Sequence, residues 1–212
     1  MVFLEPELTG RYIRLEPLHP RHAAGLVQAS AGAGDLYKMT TVPGSDAEAE
    51  RYIALAAAAR AAGTAAPFAV IRLADETVIG STRLWDMQWW GWPEGHPRHG
   101  HDGPDTCEIG HTWLAPSAIG SGANNEMKQL MLTHAFETWD VQSVCFHTDA
   151  RNERSSAALR RIGAQFEGVL RSHRLASDAQ PRDSARYSIT AAEWPAVRAH
   201  LEERSASRAA AS

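Results

Sequence analysis

The pattern of hydrophobic and polar positions in the first third of the chain predicts one strand followed by two helices. A strand-like pattern covers residues 8–18, and apolar residues then recur at helical spacing over residues 19–30. A second helix is predicted to start at Ser45, because Glu48 stands three residues further on and completes a capping box. An alanine-rich run continues this helix to Gly63, where the pattern stops.

Two strands and a long irregular segment are predicted next. The strands cover residues 68–73 and 77–85, with a turn at residues 74–76 between them. Residues 88–105 follow neither period and hold three tryptophans and three histidines among glycines and prolines. A loop of this length is usually functional or disordered. Its tryptophans either line a binding pocket or pack the loop onto the sheet, and the pattern does not choose between these interpretations.

The histidines of this loop are candidates for metal binding by residue type alone. They lack the neighbouring cysteines and the regular spacing that are typical of zinc sites, so no metal is predicted. The three residues are His96, His99 and His101.

The centre of the chain, residues 107–128, joins an apolar strand to an amphipathic helix through a glycine turn. The strand ends at Pro116, and the turn holds Gly120 and Gly122. Glycines allow a ligand to approach the backbone closely, and the first amides of a helix are unpaired and carry a partial positive charge. Neither a Rossmann nor a Walker phosphate loop fits the spacing. The segment nevertheless predicts a phosphate cradle at the start of this helix.

The remaining pattern predicts alternating elements up to the C-terminus. The central helix is expected to run to about Trp139, and a strand is expected over residues 144–148. The next helix starts at Asn152 or at Ser155 and stops at Gly163.

A closing hairpin and a last helix complete the predicted elements. The hairpin strands cover residues 165–174 and 186–190, with a polar connection over residues 176–184. A further helix follows, and residues 205–212 have the composition of a frayed or disordered tail. We therefore predict one domain over residues 1–204.

Composition narrows the class of protein. The chain has 212 residues, of which 44% are hydrophobic, enough for one domain with a real core. Its net charge of -4 gives no broad electrostatic reason to bind nucleic acid or an anionic membrane. Cys107 and Cys145 lie in apolar strand-like segments and are interpreted as buried free thiols in a reducing compartment. No secretion signal or membrane helix is recognisable, so a soluble, cytoplasmic protein is expected.

Two blocks of the sequence resemble the GNAT N-acetyltransferase superfamily. The acyl-CoA loop of that family has the pattern Arg/Gln-x-x-Gly-x-Gly/Ala, which Gly120, Gly122 and Ala123 match, whereas Ser117 stands at the Arg/Gln position. Residues 149–164 are similar to the Asn-x-x-Ser/Ala helix of its RimJ/RimL-like branch. The resemblance implies an α+β fold, with a mixed central sheet flanked by helices and strands that splay apart at the acyl-CoA site.

The same resemblance implies acetyl-CoA as the cosubstrate, with no metal. The residues expected to bind it lie at the end of the central strand, in the glycine turn and at the starts of two helices: Trp113, Leu114, Ala115, Ile119, Gly120, Ser121, Gly122, Ala123, Asn124, Asn125, Asn152 and Ser155. Backbone amides around Leu114 and Ala115 would contact the acetyl carbonyl, as in an oxyanion hole.

The catalytic residues implied by the resemblance are Glu108 and Ser155. Glu108 stands where many relatives have the base, although a solvated carboxylate or an ion-pair partner for an arginine is an equal alternative. His111 and His147 are rivals for the base. Many members of the family carry a tyrosine acid where this chain has Leu159, so the acid is assigned to Ser155, with helix capping as its structural alternative.

The function implied is acetyl-CoA-dependent N-acetylation of a primary amine, such as a protein N-terminus, an amino-acid derivative or an amine-bearing antibiotic. Two alternatives stay open: a non-catalytic acyl-CoA-binding sensor or partner module, and a transferase of a larger acyl group. No direct contact with nucleic acid or membrane is expected, and a homodimer is an open possibility. The residues expected at the acceptor are Trp85, Trp89, Trp90 and His147.

Overall fold

The computed structural model describes residues 5–209, in which eight strands form one mixed sheet. The order of the strands in the sheet is β1-β2-β3-β4-β5-β6-β8-β7. The strands are β1 (Leu8–Thr9), β2 (Ile13–Pro17), β3 (Ala65–Arg72), β4 (Thr77–Gln88), β5 (Thr106–Leu114), β6 (Ser143–Asp149), β7 (Gln165–Leu175) and β8 (Pro181–Thr190). The helices are α1 (Ala23–Ser30), α2 (Asp46–Ala61), α3 (Ala123–Thr133), α4 (Glu153–Arg161) and α5 (Trp194–Ala209). The predicted α+β architecture is confirmed.

Side chains that alternate along β4 show how the helices cover the two faces of the sheet. Ser81 and Arg83 contact Tyr52 of α2, whereas Thr82 between them contacts Met131 of α3. Because neighbouring side chains on a strand point to opposite faces, α2 and α3 cover opposite faces of the sheet. We call these the α2 face and the α3 face. Helix α5 packs beside α3, and the described helices include none that is long and apolar enough to span a membrane.

The sheet opens between β5 and β6. These parallel strands pair at only three positions, the last of which joins Glu108 to Cys145. Beyond that pair β5 continues to Leu114 and β6 to Asp149, without pairing to each other. A bulge in β5 places His111 at a φ of 50°, which turns the strand away from its neighbour. The predicted splay is therefore present, and we call the gap between the strands the opening.

Most predicted element boundaries are confirmed, and turn residues explain why. The Ser45 hydroxyl accepts a hydrogen bond from the Glu48 amide at the start of α2. Gly163 follows α4 with a φ of 93°, in the left-handed region that glycine adopts without strain. Helix α1 starts later than predicted, because Pro20–His22 form a 3-10 turn before it.

The first predicted strand, over residues 8–18, is wrong: the segment forms two strands joined by a turn. The Glu126 carboxylate of α3 accepts hydrogen bonds from three successive amides, those of residues 11–13, at 2.5–3.0 Å. Gly10 permits this approach, since a Cβ atom there would lie 2.6 Å from Cδ of Glu126. A contact between residues more than a hundred positions apart therefore sets the turn.

The C-terminal part also differs from the prediction. Strand β8 begins at Pro181, so the connection after β7 is shorter than the predicted residues 176–184. Helix α5 continues to Ala209 through most of the segment predicted as a tail. The Ser205 hydroxyl contacts the Leu201 carbonyl and Gln129 of α3, which extends the packing of this helix. Residues 210–212 of the predicted tail lie outside the described part of the chain.

Gly80 is predicted to be essential for the pairing of β4 with β5. A Cβ atom at this position would lie 2.2 Å from the backbone oxygen of Trp113, and the backbone has a φ of 156°. We expect Gly80→Ala to lower the free energy of unfolding by about 2 kcal/mol through strain. Gly91→Ala is the matched control, because a Cβ atom there meets no described atom within 4 Å. Urea unfolding followed by tryptophan fluorescence tests this, and equal stability of the two variants would contradict it.

Candidate active site

A buried cluster centred on Glu108 lies on the α2 face, next to the last paired position of β5 and β6. The Glu108 side chain is 1% exposed. Its carboxylate accepts hydrogen bonds from both terminal nitrogens of Arg174, at 3.0 and 2.8 Å. Nδ1 of His147 lies 2.8 Å from the same carboxylate. Of the two structural alternatives predicted for Glu108, the ion pair with an arginine is confirmed. The prediction of a solvated carboxylate is wrong, because the side chain is buried.

The electrostatics of the cluster keep Glu108 ionised. Burial alone would raise the pKa of this carboxyl, but the hydrogen bonds from His147 and Arg174 and the charge of Arg174 lower it to about 2. A carboxylate with so low a pKa is a weak proton acceptor near neutral pH. His147 is placed differently, because Nδ1 faces the carboxylate while Nε2 is buried without a hydrogen-bond partner among the described residues. A neutral ring that donates from Nδ1 has its lone pair on Nε2.

Trp85 and Gly110 complete the wall around the carboxylate. Trp85 pairs with Glu108 across β4 and β5, and the Arg174 guanidinium lies 4.4 Å from the centre of its ring. A Cβ atom at Gly110 would lie 2.4 Å from Nε1 of Trp85 and 3.1 Å from Oε1 of Glu108. Glycine is therefore needed here, because a side chain would push the indole away from the carboxylate.

Two more histidines lie beside this cluster. The ring of His173 is 4.7 Å from that of His147, and its Nδ1 is buried without a described partner. Nε1 of Trp85 is unpartnered in the same way. Buried polar atoms normally have partners, so these three atoms are hydrogen-bonding groups that a polar ligand or a water molecule can satisfy. His111 is exposed, but its ring packs against Trp85, and this partial desolvation together with the nearby Arg83 lowers its pKa.

The loop between β4 and β5 is held in place by a buried carboxylate. Asp105 accepts hydrogen bonds from the Trp90 amide, from Nε1 of Trp92 and from Nε of Arg98, at 2.6–3.2 Å. Trp89 and Trp90 are about half exposed, and their contacts are with the loop itself. The structure therefore brings Trp85 and His147 together, and leaves the other two predicted acceptor residues in the loop.

The loop histidines do not converge on one point. His96 stacks on Trp92, while His99 bonds the Trp92 carbonyl and His101 bonds the Trp139 carbonyl. Among the described residues, the group whose side chains come close enough to hold a metal ion is Glu108, Cys145 and His147. Arg174 already occupies the Glu108 carboxylate of that group.

The start of α3 has the glycine conformations and unpaired amides that the predicted phosphate cradle requires. Gly120 and Gly122 have φ values of 76° and 99°, which L side chains rarely adopt. The amides of Gly120, Gly122 and Asn124 donate no hydrogen bond within the described chain, whereas those of Ser121 and Ala123 between them do. Alternate amides at a helix start are therefore free to bind an anion.

Charged side chains from outside the glycine motif line a cavity beside it. This cavity of about 310 Å³ next to Gly122 is lined by Arg11 of the β1–β2 turn and Arg204 of α5, and also by Glu126, whose carboxylate is held by the amides of residues 11–13. Ser117, which stands where the family pattern has Arg or Gln, is exposed. Nothing in the local sequence pattern connects Arg11 or Arg204 with the motif, so sequence reasoning missed both.

The end of β5 offers one amide to the opening. The Ala115 amide donates to the Ile79 carbonyl of β4 at 2.7 Å, so it is not available to an acyl carbonyl as predicted. Successive amides of a strand point to opposite edges, and that of Leu114 is therefore directed towards the opening. The Leu114 carbonyl accepts a hydrogen bond from the Tyr37 hydroxyl at 2.7 Å, and Trp113 packs against the same tyrosine ring. Tyr37 thus fixes this part of β5.

At the start of α4, Asn152 and Ser155 have different roles. Oδ1 of Asn152 caps the helix by accepting a hydrogen bond from the Ser155 amide at 3.0 Å. The cap is therefore Asn152, and capping does not occupy the Ser155 hydroxyl. Leu159 is buried, as expected of an apolar residue that replaces the family tyrosine.

Comparisons with known proteins agree with this geometry. A model of the acetyltransferase (GNAT) domain matches residues 13–165. A GCN5-related N-acetyltransferase from Brucella melitensis is 26% identical, over 94% of this chain and 85% of that one, with a TM-score of 0.78. A GNAT-family protein from Chromobacterium violaceum ATCC 12472 is 27% identical, over 90% and 89% of the two chains, with a TM-score of 0.75.

A likeness of fold alone extends to the RimJ group. Mycobacterium smegmatis RimJ in complex with CoA-disulfide is 21% identical, over 94% of this chain and 93% of that one, with a TM-score of 0.72. No curated protein sequence matches the chain.

The ion pair of Glu108 predicts a specific pH dependence of stability. Its pKa is lowered from 4.5 to about 2 on folding, so its contribution is complete above about pH 4.5 and is lost as the pH falls towards 2. The shift corresponds to roughly 3 kcal/mol at neutral pH. We expect Glu108→Gln to be destabilised by about that amount at pH 7 and to approach the wild type in acid.

Urea unfolding between pH 3 and pH 7 measures this difference. Glu50→Gln is the matched control, because Glu50 is exposed on α2. A destabilisation of Glu108→Gln that does not change with pH would contradict the assigned pKa.

Proposed function

Because the chain belongs to the GNAT acetyltransferase family, we propose that it is an acetyl-CoA-dependent N-acetyltransferase acting on a primary amine. The observation that carries the proposal is the opening between β5 and β6. Free amides at the start of α3 lie at one end of it, and the Glu108–His147 pair lies at its closed end. This arrangement suits a long ligand with phosphates at one end and a reactive acyl group at the other.

We propose that the cosubstrate binds along β5. Its pyrophosphate would contact the free amides of Gly120, Gly122 and Asn124, where the helix start favours negative charge. Arg11 and Arg204 would supply the positive charge that Ser117 lacks. The acyl carbonyl would accept a hydrogen bond from the Leu114 amide, which stabilises negative charge on the oxygen as the amine attacks.

The acceptor amine is proposed to approach from the α2 face, where Trp85 and His147 lie. Nε2 of His147 would remove its proton, directly or through a water molecule. Glu108 would serve as a positioning residue, because its carboxylate already accepts three hydrogen bonds and holds the His147 ring through Nδ1. This revises the role first assigned to Glu108, since a carboxylate with a pKa of about 2 removes a proton poorly.

The residues on the α2 face are compatible with more than one class of amine acceptor. A protein N-terminus and a small amine or amino-acid derivative both present an uncharged nitrogen after proton loss, and an α-amine does so closer to neutral pH than a lysine side chain does. Trp89 and Trp90 offer apolar surface on the β4–β5 loop for the rest of an acceptor. Ser155 is proposed to donate its uncapped hydroxyl to the thioester sulfur.

Binding of CoA should depend on Gly122. In Gly122→Val, a branched side chain at a φ of 99° both strains the backbone and covers the free amides. We expect the dissociation constant for CoA, measured by calorimetry, to rise by on the order of 10²-fold or more, which is the loss of about two charge-assisted hydrogen bonds. Gly91→Val in the β4–β5 loop should bind CoA as the wild type does. Unchanged affinity in Gly122→Val would refute the proposed phosphate site.

Turnover should depend on His147 and Glu108 as one unit. We expect His147→Gln to lower the rate of CoA release by about 10²–10⁴-fold at neutral pH, the usual contribution of general acid–base catalysis. The deficit should shrink as the pH rises, because more acceptor amine is then neutral without help. Adding Glu108→Gln to His147→Gln should cost little more, since residues that act together are not additive.

The assay follows thiol release with a panel of N-terminal peptides and small amines. His200→Gln is the matched control, because His200 is exposed on α5. Full activity of His147→Gln at neutral pH would show that another group removes the proton.

A further inference from the structure

Lys128 is a buried cation whose role the chemistry above leaves unassigned. Its side chain projects from α3 and the residue is 5% exposed. Nζ donates a hydrogen bond to the Thr112 hydroxyl at 3.0 Å and lies 5.6 Å from the centre of the Phe146 ring. No ion pair found in the described chain includes it. Burying a lysine without a carboxylate partner is costly, so its presence calls for a reason.

The two contacts of Nζ place it at the floor of the opening. Thr112 lies on β5 and Phe146 on β6, and both lie beyond the last paired position, Glu108 with Cys145. Nζ therefore bridges the two strands where they diverge, on the α3 face of the sheet. The base proposed above, His147, lies on the α2 face, so the opening has a base on one side and a cation on the other.

Position 128 holds a lysine, although nearly all basic residues of this chain are arginines. The chain holds 21 lysines and arginines, of which only Lys38 and Lys128 are lysines. A buried amine can lose its proton, whereas a guanidinium cannot. Burial lowers the pKa of Lys128 to about 7, although Glu108, the charged group that acts on it through the sheet, opposes the shift. Near neutral pH this amine can therefore both carry a proton and release it.

We propose that Lys128 is a catalytic residue that donates a hydrogen bond, and then its proton, to the sulfur of the bound thioester as it leaves. This inference rests on the proposed function, since it requires an acyl-CoA in the opening. The acceptor nitrogen forms a bond to the acyl carbon and gives its proton to His147. The carbon–sulfur bond breaks, its electron pair stays on sulfur, and the proton of Nζ moves to that sulfur. Solvent then returns a proton to Lys128 and removes one from His147.

Ser155 and Lys128 would have different tasks at this sulfur. A hydroxyl can donate a hydrogen bond to the sulfur, but it is a far weaker acid than an ammonium and carries no positive charge. Lys128 brings positive charge, which stabilises a thiolate directly. The two roles can be separated, because a nearby positive charge lowers the pKa of a thiol by more than a single neutral hydroxyl does.

The test is a pH titration of the thiol of CoA bound to the protein, followed by the ultraviolet absorbance of the thiolate. We expect thiolate to form at a lower pH in the wild-type complex than in free CoA, because the thiolate and the Lys128 ammonium stabilise each other and titrate as a coupled pair. Lys128→Met should raise the pKa of the bound thiol by on the order of 1–3 units, the effect of removing an opposite charge a few ångströms away. Lys38→Met removes an exposed lysine and is the matched control. Ser155→Ala should leave the titration close to that of the wild type.

The turnover of Lys128→Met and its affinity for CoA are measured as well. Lys128→Met should lower turnover by about 10²-fold, while calorimetry at a pH below the titration of the bound thiol, where the ligand is the neutral thiol, gives an unchanged dissociation constant for CoA. A wild-type protein whose bound CoA titrates like free CoA would overturn the proposal, even if the variant failed to fold. So would Lys128→Met with wild-type titration and turnover. A wild-type protein that binds no CoA would overturn the proposed function as well, which distinguishes the two failures.

Discussion

The end of pairing between β5 and β6 after Glu108 and Cys145 is the constraint on which the rest of the structure depends. Two parallel strands that diverge leave backbone groups without partners, which a folded protein tolerates only where a ligand or water can satisfy them. The outer edges of both strands stay paired, β5 with β4 apart from its bulges and β6 with β8 throughout, so the core is preserved on either side. The opening is therefore a gap in an otherwise continuous sheet, with a direction set by the strands themselves.

Burying the Glu108 carboxylate at the closed end of the opening costs free energy, which hydrogen bonds and an opposite charge have to offset. Glu108 is held by Arg174 and His147, and leaving either charge unpaired would cost more than the pair contributes to stability. Such a pair is weak evidence for stability but strongly fixes geometry. It fixes the tautomer and orientation of His147, because one ring nitrogen is committed to the carboxylate. The same commitment makes Glu108 a poor base, so a single interaction separates the positioning residue from the proton acceptor.

Local signals in the sequence predicted most elements, because turn and cap chemistry acts over a few residues. Ser45 before α2, Gly163 after α4 and the glycines before α3 all stand where the structure has the corresponding turn. What the sequence missed are contacts between distant residues. The split of the first strand depends on Glu126, more than a hundred positions away, and the partner of Glu108 is an arginine 66 positions further along the chain.

Parts of the candidate site were beyond prediction for the same reason. The chain is rich in arginines, and no period or spacing distinguishes Arg174, Arg11 or Arg204 from the rest. Lys128 follows directly after the buried Met127 on α3, and only the divergence of β5 from β6 makes room for its amine. The glycine motif led to the proposed phosphate cradle because the chemistry of such a cradle is carried by backbone conformation, which glycine reveals locally. The acceptor side has no such local signature.

The sheet also explains how a base and a cation can act on the same bound substrate without pairing with each other. On the α2 face, Arg174 already pairs with Glu108, and a second cation there would compete for the same carboxylate. Lys128 approaches from the α3 face, where its hydrogen bond goes to a neutral hydroxyl. Backbone between the two faces keeps the amine and the carboxylate apart, although the field of Glu108 still acts on Lys128. Only a group that lies in the opening can contact both His147 on the α2 face and Lys128 on the α3 face. The gap in the pairing therefore determines where one proton can be removed and another donated in the same reaction.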